Sequence, residues 1–178
     1  GSGIVVNGQV VYGQDGFAGE LGHVEVVENG RECGCGKKGC LETYASASGI
    51  VRTVLELLAN YRAKSPLRKI QPEDLSSKTV YALAMDGDTI ANKAFEVTGY
   101  RLGKAFANFV TAFSPEAFIL YGGLANAGDI LIEPTQEAME NNLMSAFKNK
   151  VEILLSGLPA DEVAVLGTAA LAWHELDR

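Results

Sequence analysis

Apolar positions along the chain change period repeatedly, and each change predicts a different element. Gly3–Val6 and Gln9–Tyr12 are short extended runs on either side of Asn7-Gly8, a dipeptide that favours the positive-φ turn of a β-hairpin. The stretch GHVEVVENG alternates weakly and predicts a strand or strand-like arm over His23–Val27. The spacing then becomes helical. Ala45, Ile50, Val51, Val54, Leu55 and Leu58 make an apolar stripe on a helix that runs from an N-cap at Thr43 to about Arg62. Gly49 inside that helix costs about 1 kcal/mol relative to Ala, a cost that close approach of another backbone would explain. Residues 63–74 are polar, punctuated by proline and basic at Lys64, Arg68 and Lys69, and read as a solvated loop.

A short helix is expected over Ser77–Met85, stopped by Asp86-Gly87. The strongest periodicity follows. Ala94, Leu102, Ala105, Phe106, Phe109 and Phe113 recur mostly at three- and four-residue steps, predicting a long amphipathic helix from Asp88 to Phe113 that ends at Ser114-Pro115. Its phenylalanines are spaced as core. Ala117–Tyr121 is a continuous apolar run of strand length, followed at once by Gly122-Gly123. A helix over Ile130–Ser145, a strand over Val151–Leu155 and a closing helix over Gly167–Leu176 complete the order. A buried strand flanked by helices on both sides places the chain in the α/β class, as one domain over residues 1–178.

Composition narrows the function classes. The 178 residues are 47% hydrophobic and 21% charged, as in a folded globular protein rather than a disordered one. A net charge of -7 argues against nonspecific binding to nucleic acid or to an anionic membrane. It does not argue against a nucleotide, because backbone N–H groups hold phosphates without basic side chains. No stretch approaches the roughly 18 apolar residues of a membrane span, and no basic-then-apolar leader is present, so a cytoplasmic protein is expected. The first residue is not Met, which marks the chain as something other than a complete reading frame as translated. Gly1-Ser2 reads either as a cloning remnant or as native loop.

The candidate chemistry is concentrated between Gly16 and Tyr44, which contains Cys33, Cys35 and Cys40, all the cysteines of the chain, together with His23, one of its two histidines. Three thiolates and an imidazole suit zinc in a closed, four-coordinate structural site, and Gly34, Gly36 and Gly39 allow the tight turns that converging ligands need. Three unrelated thiols or a redox centre are the alternatives. A disulfide framework is disfavoured, because three cysteines cannot all pair within one chain. A zinc-hydroxide hydrolase would need an open coordination position and fewer thiolates. Glu20 and Glu42 flank the ligands, as loop caps or as acceptors for vicinal hydroxyls. Gly122-Gly123, between a strand and a helix, is either a plain turn or a place where a ligand approaches backbone amides. His174 reads as a surface or helix-end residue.

GFAGELGH followed by CGCGKKGCLE resembles the zinc-containing signature of the ROK family: bacterial sugar kinases, sugar-responsive repressors and related proteins. The resemblance runs over the whole chain, but the chain corresponds to only the C-terminal half or so of a family member. It implies the C-terminal lobe of the ribonuclease-H-like actin/hexokinase ATPase fold, with a zinc- and sugar-binding insertion over about 16–44 and helices plus a nucleotide-side sheet over about 45–178. It implies structural Zn2+ on His23, Cys33, Cys35 and Cys40. Sugar hydroxyls would meet Glu20, His23 and Glu42, the histidine using one ring nitrogen for the sugar while zinc holds the other. Gly122, Gly123 and Gly167 would line the nucleotide site, with Mg2+ accompanying ATP in the intact enzyme.

The general base and the first phosphate loop of the family lie upstream of the position matching Gly1. The implied parent is therefore a glucokinase-like hexose kinase that phosphorylates the sugar 6-hydroxyl, while this fragment is inactive alone. A sugar-sensing repressor domain and an N-acetyl amino-sugar kinase are the alternatives. A homodimer is expected as well, because the long helix from Asp88 and the metal-bearing arm would leave more apolar face than the chain can cover. Neither nucleic acid nor a membrane is an expected partner of this domain.

Overall fold

The computed structural model describes residues 1–158 and 162–176. The hairpin forms, shortened to β1 (Val5–Val6) and β2 (Gln9–Val10), with Val5 opposite Val10. Its turn places Asn7 at φ 52° and Gly8 at φ 76°, the two positive angles that match the twist of the flanking strands. The strand predicted over His23–Val27 does not form. Leu21–His23 is a single 3-10 turn, and only Glu25 makes a bridge, to Cys40. The reason lies in the backbone: the N–H groups of Val26 and Val27 both donate to the carbonyl of Gly39, so the ladder cannot propagate.

Helix α1 (Ala47–Asn60) starts later than predicted. Thr43 closes a 3-10 turn over Leu41–Thr43 and donates its hydroxyl to the Cys40 carbonyl at 2.8 Å. Ser46 is the N-cap instead, its Oγ accepting from the Gly49 N–H at 3.0 Å. Gly49 is needed for the reason anticipated: a Cβ there would lie 2.7 Å from the carbonyl carbon of Tyr44. Residues 63–74 are more than a solvated loop. They form two 3-10 turns, Leu67 is buried in the core, and Arg68 donates to the Leu58 carbonyl in the last turn of α1.

Helix α2 (Ser77–Met85) leads into α3 (Thr89–Phe113), against which both α1 and α2 pack. Asp88 caps α3, accepting from the Ala91 N–H at 2.8 Å, and Ser114 ends it in the left-handed region at φ 47°. The N-terminal half of α3 packs Ile90, Ala94 and Phe95 against Ile50, Val54 and Val80 of α1 and α2. Its C-terminal half packs Phe106, Phe109 and Val110 into a second cluster with Met139, Val151 and Ile153. There Phe118 stacks on Phe106, with centroids 4.0 Å apart and planes 8° apart.

Strand β3 (Ala117–Leu120) pairs in parallel with β4 (Glu152–Leu155), Ala117 opposite Glu152, and α4 (Asp129–Asn142) is the crossover between them. Helices α3 and α4 approach closely because α3 presents Gly99 and Gly103. A Cβ at Gly99 would sit 2.7 Å from the Pro134 ring, and one at Gly103 would run into the carbonyl of Thr135. Helix α5 (Val163–Leu176) begins before the predicted Gly167, and none of its described side chains is buried. The side chain of His174 lies outside the described residues.

Part of the uncovered apolar surface lies where the sequence suggested, Phe17 on the metal-bearing arm being 74% exposed and Tyr100 and Phe113 on α3 about half exposed. The rest lies elsewhere: α3 packs against α1, α2 and α4, while Ile119 in β3, Tyr121 just beyond it, and Val165, Trp173 and Leu176 on α5 are each more than 60% exposed. Among the described residues no helix is long and apolar enough to cross a membrane.

Candidate metal and hydroxyl site

The segment that contains the four predicted ligands has almost no regular structure, and its shape comes from turns and carbonyl contacts. The Cys33 N–H donates to the Lys37 carbonyl at 2.9 Å and the Gly36 N–H to the Cys33 carbonyl at 3.0 Å, folding the intervening residues into a tight loop. Gly39, at φ 73°, lies where a Cβ would collide with the Val27 carbonyl. The limb leaving the loop is thus pressed against the limb that enters it. The Leu41 N–H then donates to Val24 O at 2.9 Å, and Leu41 is buried in the cluster beneath α3.

These turns bring the ligand atoms of His23, Cys33, Cys35 and Cys40 within 4.8 Å of one another. Cys35 Sγ lies 3.6 Å from Cys40 Sγ, and Cys33 Sγ lies 3.6 Å from His23 Nδ1. A tetrahedral zinc with Zn–S near 2.3 Å and Zn–N near 2.0–2.1 Å requires ligand separations of about 3.8 Å and about 3.6 Å. The donor set and the spacing both fit. The protonation pattern agrees. Burial pushes the Cys40 thiol up to about 12, with Cys35 and Cys33 adding to the effect, while the Lys37 backbone N–H leads the groups that lower Cys35. Three facing thiols cannot ionise together without a cation among them, and a divalent metal supplies that charge.

The predicted hydroxyl ligands gather at the same place. His23 directs Nδ1 toward Cys33, and its Nε2 lies 3.7 Å from Glu20 Oε2. Glu42 Oε1 is 4.0 Å from Cys33 Sγ, and a Cβ on Gly22 would touch Glu42 Cβ at 3.7 Å. The turns Leu21–His23 and Leu41–Thr43 therefore lie side by side, and both carboxylates are exposed. Ser2 supports this edge, its hydroxyl donating to the Gly19 carbonyl and accepting from the Leu21 N–H at 3.2 Å.

The three glycines assigned to a nucleotide stand apart in character. Gly122 has φ 98°, and among the described residues nothing beyond the local backbone lies within 4 Å of an added Cβ at Gly122, Gly123 or Gly167. They have open space around them, and neither the groove beside Tyr61, Thr89 and Lys93 nor that beside Gln136, Asn149 and Lys150 includes any of them.

Two residues at the site had no distinguishing pattern. Arg31 is buried, and Tyr44 is buried against it with the guanidinium carbon 4.2 Å from the ring centroid. The Tyr44 hydroxyl accepts from the Arg31 backbone N–H at 3.0 Å. The one available signal was the position of Arg31 between Gly30 and the first cysteine pair, which does not separate it from an exposed cation.

Solved structures give the class of this fold. A ROK family glucokinase from Streptomyces griseus, solved in complex with glucose and AMPPNP, superposes with a TM-score of 0.82 at 26% identity, over 95% of this chain and 55% of that one. The architecture is the α/β actin/hexokinase type, here with a His/Cys cluster able to hold a metal. The chain belongs to the ROK family, whose model matches residues 1–175. Among curated relatives, a glucokinase of Halalkalibacterium halodurans is 36% identical over 94% of this chain and 51% of its own length. The DNA-binding transcriptional dual regulator NagC of Escherichia coli K12 is 33% identical over 96% of this chain and 41% of its own length. The chain thus spans about half the length of the curated relatives it matches, and it is similar both to kinases and to regulators.

Proposed function

We propose that this chain is the C-terminal, sugar- and nucleotide-binding half of an ATP-dependent hexose kinase of glucokinase type, whose parent transfers the γ-phosphoryl group to the sugar 6-hydroxyl. The observation that carries the reading is His23, with Nδ1 facing the thiols and Nε2 facing Glu20. A structural zinc on His23, Cys33, Cys35 and Cys40 would rigidify the segment over about 16–44. With Nδ1 engaged, Nε2 bears the proton and donates to a sugar oxygen. Glu20 and Glu42, both exposed, accept from adjacent hydroxyls, so the three side chains orient a hexose without reacting with it.

On the side formed by residues 45–178, Gly122, Gly123 and Gly167 offer backbone to a nucleotide that arrives with Mg2+. The family resemblance assigns the general base and the first phosphate loop to residues outside this chain. Phosphoryl transfer depends on positioning and charge stabilisation from both sides at once. Each absent hydrogen bond to an ionised group also weakens binding by about 1.5–3 kcal/mol. The chain alone is therefore inactive and binds sugar weakly, and the parent is a cytoplasmic homodimer. Similarity to NagC at 33% identity favours a second reading, the sugar-sensing half of a repressor, which needs the same hydroxyl site. An N-acetyl amino-sugar kinase would differ in the pocket around the sugar 2-position.

A coupled ADP-release assay with glucose, mannose and N-acetylglucosamine tests this, run on the chain and on its parent. We expect a silent chain and an active parent that prefers glucose. Turnover by the chain above a Glu20→Ala, Glu42→Ala control would overturn the assignment of the base. A silent parent that binds sugar and a specific DNA duplex would establish the repressor.

A further inference from the structure

Arg31 is the most heavily bonded side chain at the metal loop, although it touches none of the predicted ligands. A guanidinium carries five N–H donors in a fixed fork, and all five are used. Nε and Nη2 grip the two carboxylate oxygens of Glu56 at 2.7 Å each. Nη1 donates to the Thr43 carbonyl at 2.6 Å and to the Gly49 carbonyl at 3.0 Å, and the second Nη2 hydrogen reaches Thr53 Oγ1 at 2.8 Å. The backbone of the same residue is committed as well: its carbonyl accepts from the Gly39 N–H at 2.8 Å and its N–H donates to Tyr44.

One residue thereby joins three parts. Its own backbone lies two positions before Cys33, its carbonyl holds the residue before Cys40, and its side chain fastens both limbs to α1. Thr43, whose carbonyl it holds, directly follows Glu42. We propose that Arg31 is the positioning residue of the metal site, setting the distance between the Cys33 and Cys40 limbs and their seat on α1, so that four ligands and Glu42 are presented together. The need is for geometry rather than for charge. A lysine brings the charge with three donors on one atom, and it cannot reach five acceptors spread over Thr43, Gly49, Thr53 and Glu56.

This inference rests on the metal reading above, and the experiment separates the two. The chain is prepared as wild type, Arg31→Lys, Arg31→Met and Glu56→Gln, loaded with zinc or with cobalt, and the release of metal to excess chelator is timed. Supporting groups around a metal site affect its hold by about ten- to a hundredfold, and release from all three variants should be faster by that factor. The visible cobalt spectrum of each variant should lose the intensity of a closed tetrahedral thiolate site. General loss of structure is read separately from helical circular dichroism, which Arg31→Lys and Glu56→Gln should retain even where Arg31→Met does not. Wild-type chain that takes up neither metal would sink the metal reading itself. Wild type with one bound metal, beside variants that match its release rate and spectrum, would overturn only the role of Arg31. A lysine variant indistinguishable from wild type would show that charge suffices and would overturn the positioning argument.

Discussion

Between Gly19 and Tyr44 the chain buries two thiols, an arginine, a threonine and a tyrosine, and Leu41 is its one buried aliphatic side chain, with Leu21 and Val26 half-buried against the same cluster. Between Ala47 and Leu143 it buries Ile50, Val54, Phe95, Phe106, Met139 and their neighbours in two apolar clusters around α3. The first region specifies its shape through directed contacts: five guanidinium hydrogen bonds and glycines placed where no Cβ fits. The second specifies its shape mainly through periodic apolar positions, with Gly99 and Gly103 marking the close approach of α3 to α4. Directed contacts fail one at a time and locally, whereas a packed core spreads the damage. The two regions should therefore respond to different perturbations.

Removing metal should produce the largest separation between them. Structural zinc in small peptides is held by roughly 10–16 kcal/mol, and that binding energy is folding energy for the loop. After chelation, amide hydrogen exchange should accelerate across residues 20–43 while α3 and α4 keep their protection. Cys35→Ser should do the same without chelator. Acid should mimic both, by a definite sign. Each thiol must lose its proton to bind metal, and the metal-free Cys40 thiol is held up at about 12. Metal retention therefore strengthens as pH rises and is lost as pH falls, which zinc content measured against pH will show. Freshly purified protein with less than about half an equivalent of zinc, unaffected by chelator, would dissolve the contrast.

A smaller effect, confined to the helical body, is expected from Gly103→Ala. The new methyl meets the Thr135 carbonyl, so α3 and α4 must separate, at a cost near the upper end of about 1–3 kcal/mol for overpacking. The urea midpoint should fall while zinc content stays at one equivalent; if both fall together, the regions are coupled. The smallest is Asp88→Ala. Loss of the cap on Ala91 should cost about 1 kcal/mol, readable as a lower midpoint with an unchanged slope.

The same division explains what the sequence made legible. Helix α3 could be read to within a residue at each end because its period is long and its boundaries are marked by Asp88 and Ser114. The ligand set was readable because three cysteines and two histidines are rare enough to stand out. Arg31 was not, since it is one of fifteen basic residues and only its burial distinguishes it. The strand expected at His23–Val27 failed because its alternation was overridden by two donors converging on Gly39. Thr43 is a residue type that caps helices, and only the fold shows that its hydroxyl is spent on Cys40 while Ser46 caps α1. Gly49 was understood in kind, though the sequence could not name Tyr44 as the neighbour.

All four ligand side chains fall in one short stretch, His23 and Cys40 being 17 positions apart. The paired strands β3 and β4 are about twice as far apart, Ala117 meeting Glu152 only after α4 has intervened. Each doubling of a loop costs about 0.6 kcal/mol in closure entropy, and a chain emerging from the ribosome adds about 5–20 residues per second. The thiols and imidazole can thus meet a metal within seconds of their synthesis, before the helical body exists. Arg31 must wait longer, because Glu56 lies 25 positions beyond it. The order along the chain thus makes all four metal-site side chains available before Glu56, the carboxylate that Arg31 grips, has been synthesised.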